Sequence, residues 1–201
     1  MNMINSAERD IFHRHTLCDA LADSIRERLF EHEFAPGDVL DAPPLAAYYG
    51  IRRSTLTEAL RQLARERLLV AREQAYRVAK YRRSDIEAIL TALEQIRLLA
   101  IPPASARNDE PHWRIAASPY WGDSGFVVTR PFVVAARNLY HQLRASIGPA
   151  LAKIETACLH GHDRNALAQA VANGERGPIE NFYKETAQTF RQQVLNVFDV
   201  A

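Results

Sequence analysis

Apolar side chains spaced four residues apart open the legible part of the chain. Leu17, Leu21, Ile25 and Leu29, with Arg26, Glu27, Arg28 and Glu31 on the other side, predict an amphipathic helix from Thr16. Residues 1–16 ahead of it read as a flexible polar arm. Pro36-Gly37 ends that helix and begins a turn, after which Val39-Leu40 fit a short edge strand. A brief helix over Pro44–Tyr49 stops at Gly50, where glycine accepts the positive φ of a tight turn. A second helix is expected from Arg53 to Arg67, with Leu56, Ala59, Leu60 and Leu63 as a narrow apolar stripe. Thr55-x-x-Glu58 has the form of a capping box, and Ser54 offers an alternative cap. Leu68-Leu69-Val70 and Tyr76-Arg77-Val78-Ala79 read as two strands around Arg72-Glu73-Gln74-Ala75, a hairpin whose tip lacks the usual glycine or asparagine.

The later pattern is helical throughout. Ser84-x-x-Glu87 opens a helix carrying Ile86, Ile89, Leu90, Leu93 and Ile96, and Pro102-Pro103 must end it. Residues 101–125 combine prolines with Trp113, Tyr120 and Trp121, and a loop of that length is uncommon in a compact domain. From Phe132 to Phe198 helical spacing returns, broken at Gly148-Pro149, His160-Gly161 and Gly174–Pro178, which gives three or four helices. The expected fold class is mainly α. A winged helix-turn-helix with a small β-hairpin wing spans 17–83, and an all-α bundle spans 84–201.

Charge sharpens this picture. The net charge of +1 is uninformative, but its distribution is not. Ten cations face three acids across residues 52–83, a surplus of seven, whereas residues 1–51 carry nine acids against four arginines. A basic block beside an acidic one suits a surface that meets phosphates. The first turn of the second helix is both cationic and hydroxyl-rich, as the floor of the DNA major groove requires. The predicted partner is therefore double-stranded DNA.

Other classes fall away. The composition, 47% hydrophobic and 24% charged, supports a packed core. Cys18 and Cys158 are too few and too distant for a disulfide framework or zinc finger. Neither a signal-peptide core nor a membrane-spanning run is present, so a cytoplasmic protein without a membrane partner is expected. The sequence has no G-x-S-x-G elbow, phosphate-binding glycine loop or H-E-x-x-H helix, so neither an enzyme nor a cofactor is expected.

Residues 17–83 resemble the amino-terminal domain of GntR-type bacterial transcription regulators. The resemblance runs through Pro36-Gly37, Leu45-Ala46, Gly50-Ile51, Arg53, Glu58-Ala59-Leu60-Arg61 and Leu63. It implies that Arg53 reaches a guanine edge and that Ser54 and Thr55 hold phosphates at the helix start. Both roles are chemically apt. Arginine grips guanine N7 and O6 together, and a helix start favours anions. The candidate DNA-contacting set is Arg52, Arg53, Ser54, Thr55, Thr57 and Arg61 on the helix, with Arg72, Gln74 and Arg77 on the wing. The chain departs from the family pattern at four places. Thr57 stands where members carry a second arginine, and Arg52 where a serine is common. Arg67 replaces a helix-ending glycine, and Glu73-Gln74-Ala75 replace a glycine-bearing wing tip.

The helical half resembles the FadR/VanR branch, which implies a dimerising bundle that senses a small organic acid. That branch commonly holds a metal through one aspartate and three histidines. No histidine here falls in those places, so no metal is expected, although a site from His141, His160 and His162 remains conceivable. Trp113, Tyr120, Trp121, Phe126 and Phe132 either line an apolar cavity or cover the core. The expected function is a homodimeric, ligand-responsive, DNA-binding repressor. The alternative is a regulator with a decayed sensor half, or a winged-helix module for protein contact.

Overall fold

The computed structural model describes residues 6–72, 75–99, 130–160 and 164–200. They divide into two compact units, Met1–Lys80 and Tyr81–Ala201. That break falls between Lys80 and Tyr81, a few residues before the expected domain boundary.

The first unit contains α1 (Ser6–Phe30), β1 (Val39–Leu40), α2 (Ala42–Tyr48), α3 (Arg53–Arg65), β2 (Leu69–Arg72) and β3 (Ala75–Val78). Helix α1 begins at Ser6, so residues 6–16, expected in a polar arm, are helical. Glu8, Arg9 and Arg14 are good helix formers, but this stretch of sequence carries no regular apolar stripe to read. Leu21, Ala22, Ile25, Leu29 and Phe30 are buried, while Leu17 is half exposed. His32 closes α1 with φ 55°, and the His32 and Glu33 amides bond to the Leu29 and Arg28 carbonyls. The chain then reverses through Ala35–Asp38. Pro36 presets the turn, Gly37 takes φ 99°, and the Asp38 amide bonds back to the Ala35 carbonyl.

The sheet is antiparallel, in the order β1-β3-β2. Its register pairs Leu69 with Val78 and Leu40 with Tyr76 on the side that carries the buried Leu40, Leu69 and Val78. Val39, Arg77 and Val70 form a row on the opposite face. Glu73 and Gln74, at the hairpin tip, lie outside the described residues.

The second unit contains α4 (Arg83–Leu99), α5 (Arg130–Ile147), α6 (Ala150–His160), α7 (Arg164–Asn173) and α8 (Arg176–Phe198). Its main core gathers Ile86, Ile89, Leu90, Leu93, Leu143, Leu151, Phe190 and Val194. A smaller cluster holds Leu167, Ala170, Ile179 and Tyr183. The apolar face of α4 departs from the expected one. Ile96 is only half-buried, and Arg97 takes the buried position below Leu93. Gly148 and Gly174 end helices with φ of 66° and 68°. Gly177 and Pro178, expected in a break, already belong to the first turn of α8, where proline lacks no needed donor. The segment 101–129, with its tryptophans, lies outside the described residues, as does His162. No helix among the described residues is long and apolar enough to cross a membrane.

Candidate nucleic-acid interface

Helices α2 and α3 meet at Gly50, which takes φ 62°. Its amide bonds to the Ala47 carbonyl, and the Ile51 amide bonds to the Ala46 carbonyl. A Cβ here would meet nothing within 4 Å, so the demand for glycine is purely conformational. Helix α2 starts two residues before the expected Pro44, with both prolines in its first turn, where they cost no hydrogen bond.

Helix α2 is held against α1 by polar clamps. Arg28 donates to Tyr49 Oη at 3.3 Å and to Glu33 Oε2 at 2.6 Å. Its guanidinium lies 4.4 Å from the Phe34 ring centre and 5.0 Å from that of Tyr48. Ser24 and Tyr49 share a hydroxyl contact at 3.3 Å.

Helix α3 buries Leu56, Ala59, Leu60 and Leu63, the four positions of its stripe. Each fully buried leucine contributes about 2 kcal/mol by removal from water. The opposite face is open to solvent. The expected capping box does not form, because the N-cap is Arg52, with an extended backbone and no side-chain cap. Glu58 points elsewhere. It holds Arg61, three residues on, and accepts from Arg65 Nη2 at 2.9 Å, seven residues on. Arg61 was expected on the DNA; here its charge is matched within the helix. Thr57 donates its hydroxyl to the Arg53 carbonyl at 2.8 Å, which leaves its methyl group and an oxygen lone pair facing out.

Arg52, Arg53 and Ser54 are exposed and Thr55 is partly exposed. Arg52 and Arg53 have no ion-pair partner among the described residues. The first turn of α3 therefore combines a helix end without a side-chain cap with two guanidiniums that no described acid matches. That combination attracts anions by both charge and amide donors. Behind it, Cys18 of α1 bonds to the Thr55 carbonyl at 3.7 Å. Burial, helped by the charges of Glu58 and Asp19, pushes the Cys18 thiol up, so it stays protonated at neutral pH.

Helix α3 ends at Arg65, two residues short of the expected end, and Arg67 just beyond it takes the left-handed region with φ 64°. The Arg67 and Leu68 amides bond to the Ala64 and Leu63 carbonyls. Arginine thus adopts the backbone that the family pattern gives to glycine. Glu66 at the C-cap accepts two hydrogen bonds from Arg26 of α1. Neither Arg26–Glu66 nor Glu58–Arg65 was foreseen. The second was readable from helix spacing; the first joins helices forty residues apart.

On the wing, Val70 opposes Arg77 and Arg72 opposes Ala75, so both arginines lie on the outer face. Arg77 spends one donor on the Gly37 carbonyl at 2.7 Å, which braces the turn before β1. Arg72 is exposed, with no acid partner among the described residues. Gln74 lies outside them. Among the described residues no group of three histidine, cysteine, aspartate or glutamate side chains could hold a metal.

Residues 17–75 match the family described as bacterial regulatory proteins, gntR family. The match stops before the helical unit and assigns the chain to no branch. No curated relative matches. Among solved structures, a Rhodococcus sp. RHA1 protein described as a transcriptional regulator, GntR, aligns with TM-score 0.61 at 16% identity over 89% of this chain and 97% of that one. E. coli McbR/YncC aligns with TM-score 0.53 at 16% identity, covering 92% and 98%. Lar, which controls the expression of the Listeria monocytogenes agr system, aligns with TM-score 0.52 at 14% identity, covering 92% and 97%. These likenesses extend the common fold across both units.

Proposed function

We propose, from the premise that residues 17–75 are a gntR-family DNA-binding domain, that the chain is a sequence-specific transcriptional repressor acting as a homodimer and relieved by a small molecule. Its place of action is the cytoplasm, where the DNA is. The observation that carries this reading is the start of α3, where Arg52 and Arg53, unmatched by any acid among the described residues, flank a helix end without a side-chain cap. Arg53 reads a base edge, and Ser54, Thr55 and the open amides take phosphates. Arg52 and Thr57 flank that contact. Arg72, Arg77 and Gln74 on the wing add phosphate contacts, which strengthen binding without reading sequence. Arg61 contributes less, because Glu58 already matches its charge.

A homodimer would present two such helices to a palindromic site with half-sites about one helical turn apart or closer. The test is a fluorescence-anisotropy titration on DNA selected from random pools. Arg53→Ala should lose discrimination worth roughly 1–3 kcal/mol at one position of each half-site. Arg72→Ala should weaken binding to every sequence alike and reduce the slope of log affinity against log salt by about one. Equal, shallow losses from both substitutions would overturn the assignment.

A further inference from the structure

Helix α3 offers different chemistry in its successive turns. The first turn carries the exposed cation Arg53. In the second, Leu56, Ala59 and Leu60 are buried, and Glu58 is tied to Arg61 and Arg65. Thr57 remains as the neutral, partly exposed side chain that this turn can present to a base. It stands four residues after Arg53, on the same face of the helix.

The Thr57 hydroxyl is already committed. Its proton goes to the Arg53 carbonyl at 2.8 Å, one turn back along the helix. That bond has two effects. It removes the donor that guanine O6, a purine N7 or thymine O4 would require. It also restricts χ1 of a β-branched side chain, which sets the direction of the methyl group. Thr57 therefore keeps an acceptor lone pair and an oriented methyl group for a partner.

We propose that Thr57 reads the C5-methyl group of a pyrimidine, beside the guanine that Arg53 reads. Thymine presents that group in the major groove, and a cytosine methylated at C5 presents the same one. Methyl against methyl is an apolar contact that plain cytosine and the purines cannot make. Four residues of helix advance about 6 Å and stacked bases lie about 3.4 Å apart, so this pyrimidine falls within about two base pairs of the guanine. The inference rests on the DNA-binding reading above and adds to it a base class for the second turn of α3.

The test is an anisotropy titration of the full chain, at fixed salt, on duplexes selected from random pools. Arg53→Ala first locates the guanine, as the position where discrimination is lost. Every nearby thymine, on either strand, is then replaced in turn by deoxyuridine, which removes the methyl group and keeps the pairing. At one position in each half-site this should weaken binding about fourfold, the worth of one buried methyl group. At that position 5-methylcytosine should bind about fourfold more tightly than cytosine, by the same contact. Whichever of thymine and 5-methylcytosine binds more tightly identifies the natural source of the methyl group, and either result supports the contact. Thr57→Val keeps a methyl group without the oxygen and should preserve the methyl preference. Thr57→Ser keeps the oxygen without the methyl group and should abolish it. Each preference is a ratio measured on a single variant, so a change in stability cancels. No methyl effect at any pyrimidine near the guanine, or its loss in Thr57→Val, would overturn the inference. Sequence preference without a methyl effect sinks this inference alone, whereas binding without any sequence preference sinks the regulator reading with it.

Discussion

Arg26 of α1 grips Glu66 at the end of α3 through two parallel hydrogen bonds, Nε to Oε2 at 3.0 Å and Nη2 to Oε1 at 2.9 Å. The third point of contact is Asp23, one turn earlier on α1. Burial alone pushes the Arg26 guanidinium down, and hydrogen bonds to Glu66 and Asp23 more than restore it. The bridge therefore fixes the end of the reading helix on its supporting helix. Replacing one partner strands the other. Glu66→Ala should destabilise the first unit by about 2 kcal/mol, below the range for a fully buried pair because Asp23 still faces the guanidinium. Urea denaturation measures this; an unchanged midpoint would show that the bridge holds nothing.

Arg67 invites the opposite change. A left-handed backbone costs an ordinary residue roughly 1–2 kcal/mol, and glycine avoids it while losing some chain entropy. Arg67→Gly should therefore stabilise the fold by about 0.5 kcal/mol, read as a rise in Tm. Arg67→Val, with a branched carbon at the same φ, should lower it.

Glu58 acts as an internal counter-charge for Arg61 and Arg65. Its side chain is about half exposed, so these pairs add little stability. Glu58→Gln should leave Tm nearly unchanged but release both arginines toward phosphate. DNA affinity should rise several-fold for all sequences, and the salt slope should steepen by about 1–2. An unchanged slope would place that face of α3 away from the duplex.

The Glu155 carboxyl predicts a pH effect. Burial raises it above the ordinary value of 4.5, so the fold binds this proton more tightly than the unfolded chain does. That contribution is fully present below pH 4.5 and is lost as pH rises through the folded value. Glu155→Gln, which never ionises, should flatten the decline, and at neutral pH it should melt higher than the natural chain.

How much of this was legible in the sequence follows from what each signal depends on. The stripe Leu56, Ala59, Leu60 and Leu63 was readable because helix geometry turns spacing into a face, and all four are buried. Gly50 was readable because its backbone angle excludes other residues at low cost. The start of α1 was not, because residues 6–16 carry no periodic apolar spacing. The capping box misled because Glu58 had two cationic neighbours on its own face to choose from. Arg97 was hidden by its own chemistry. It sits at the spacing of Leu90 and Leu93, but a cation in that position reads as surface. The Arg26–Glu66 and Tyr140–Glu155 bonds depend on how helices pack, which no local pattern encodes.

One feature of α3 reaches beyond recognition. A helix that begins at Arg53 without a side-chain cap is left unfinished at its leading edge, because its foremost amides have no partner within the helix. A phosphodiester seated there would complete the turn, so the duplex would act as a missing structural part as well as a target. Amide exchange at Arg53 and Ser54 should then be fast in the free chain and slow once DNA is bound.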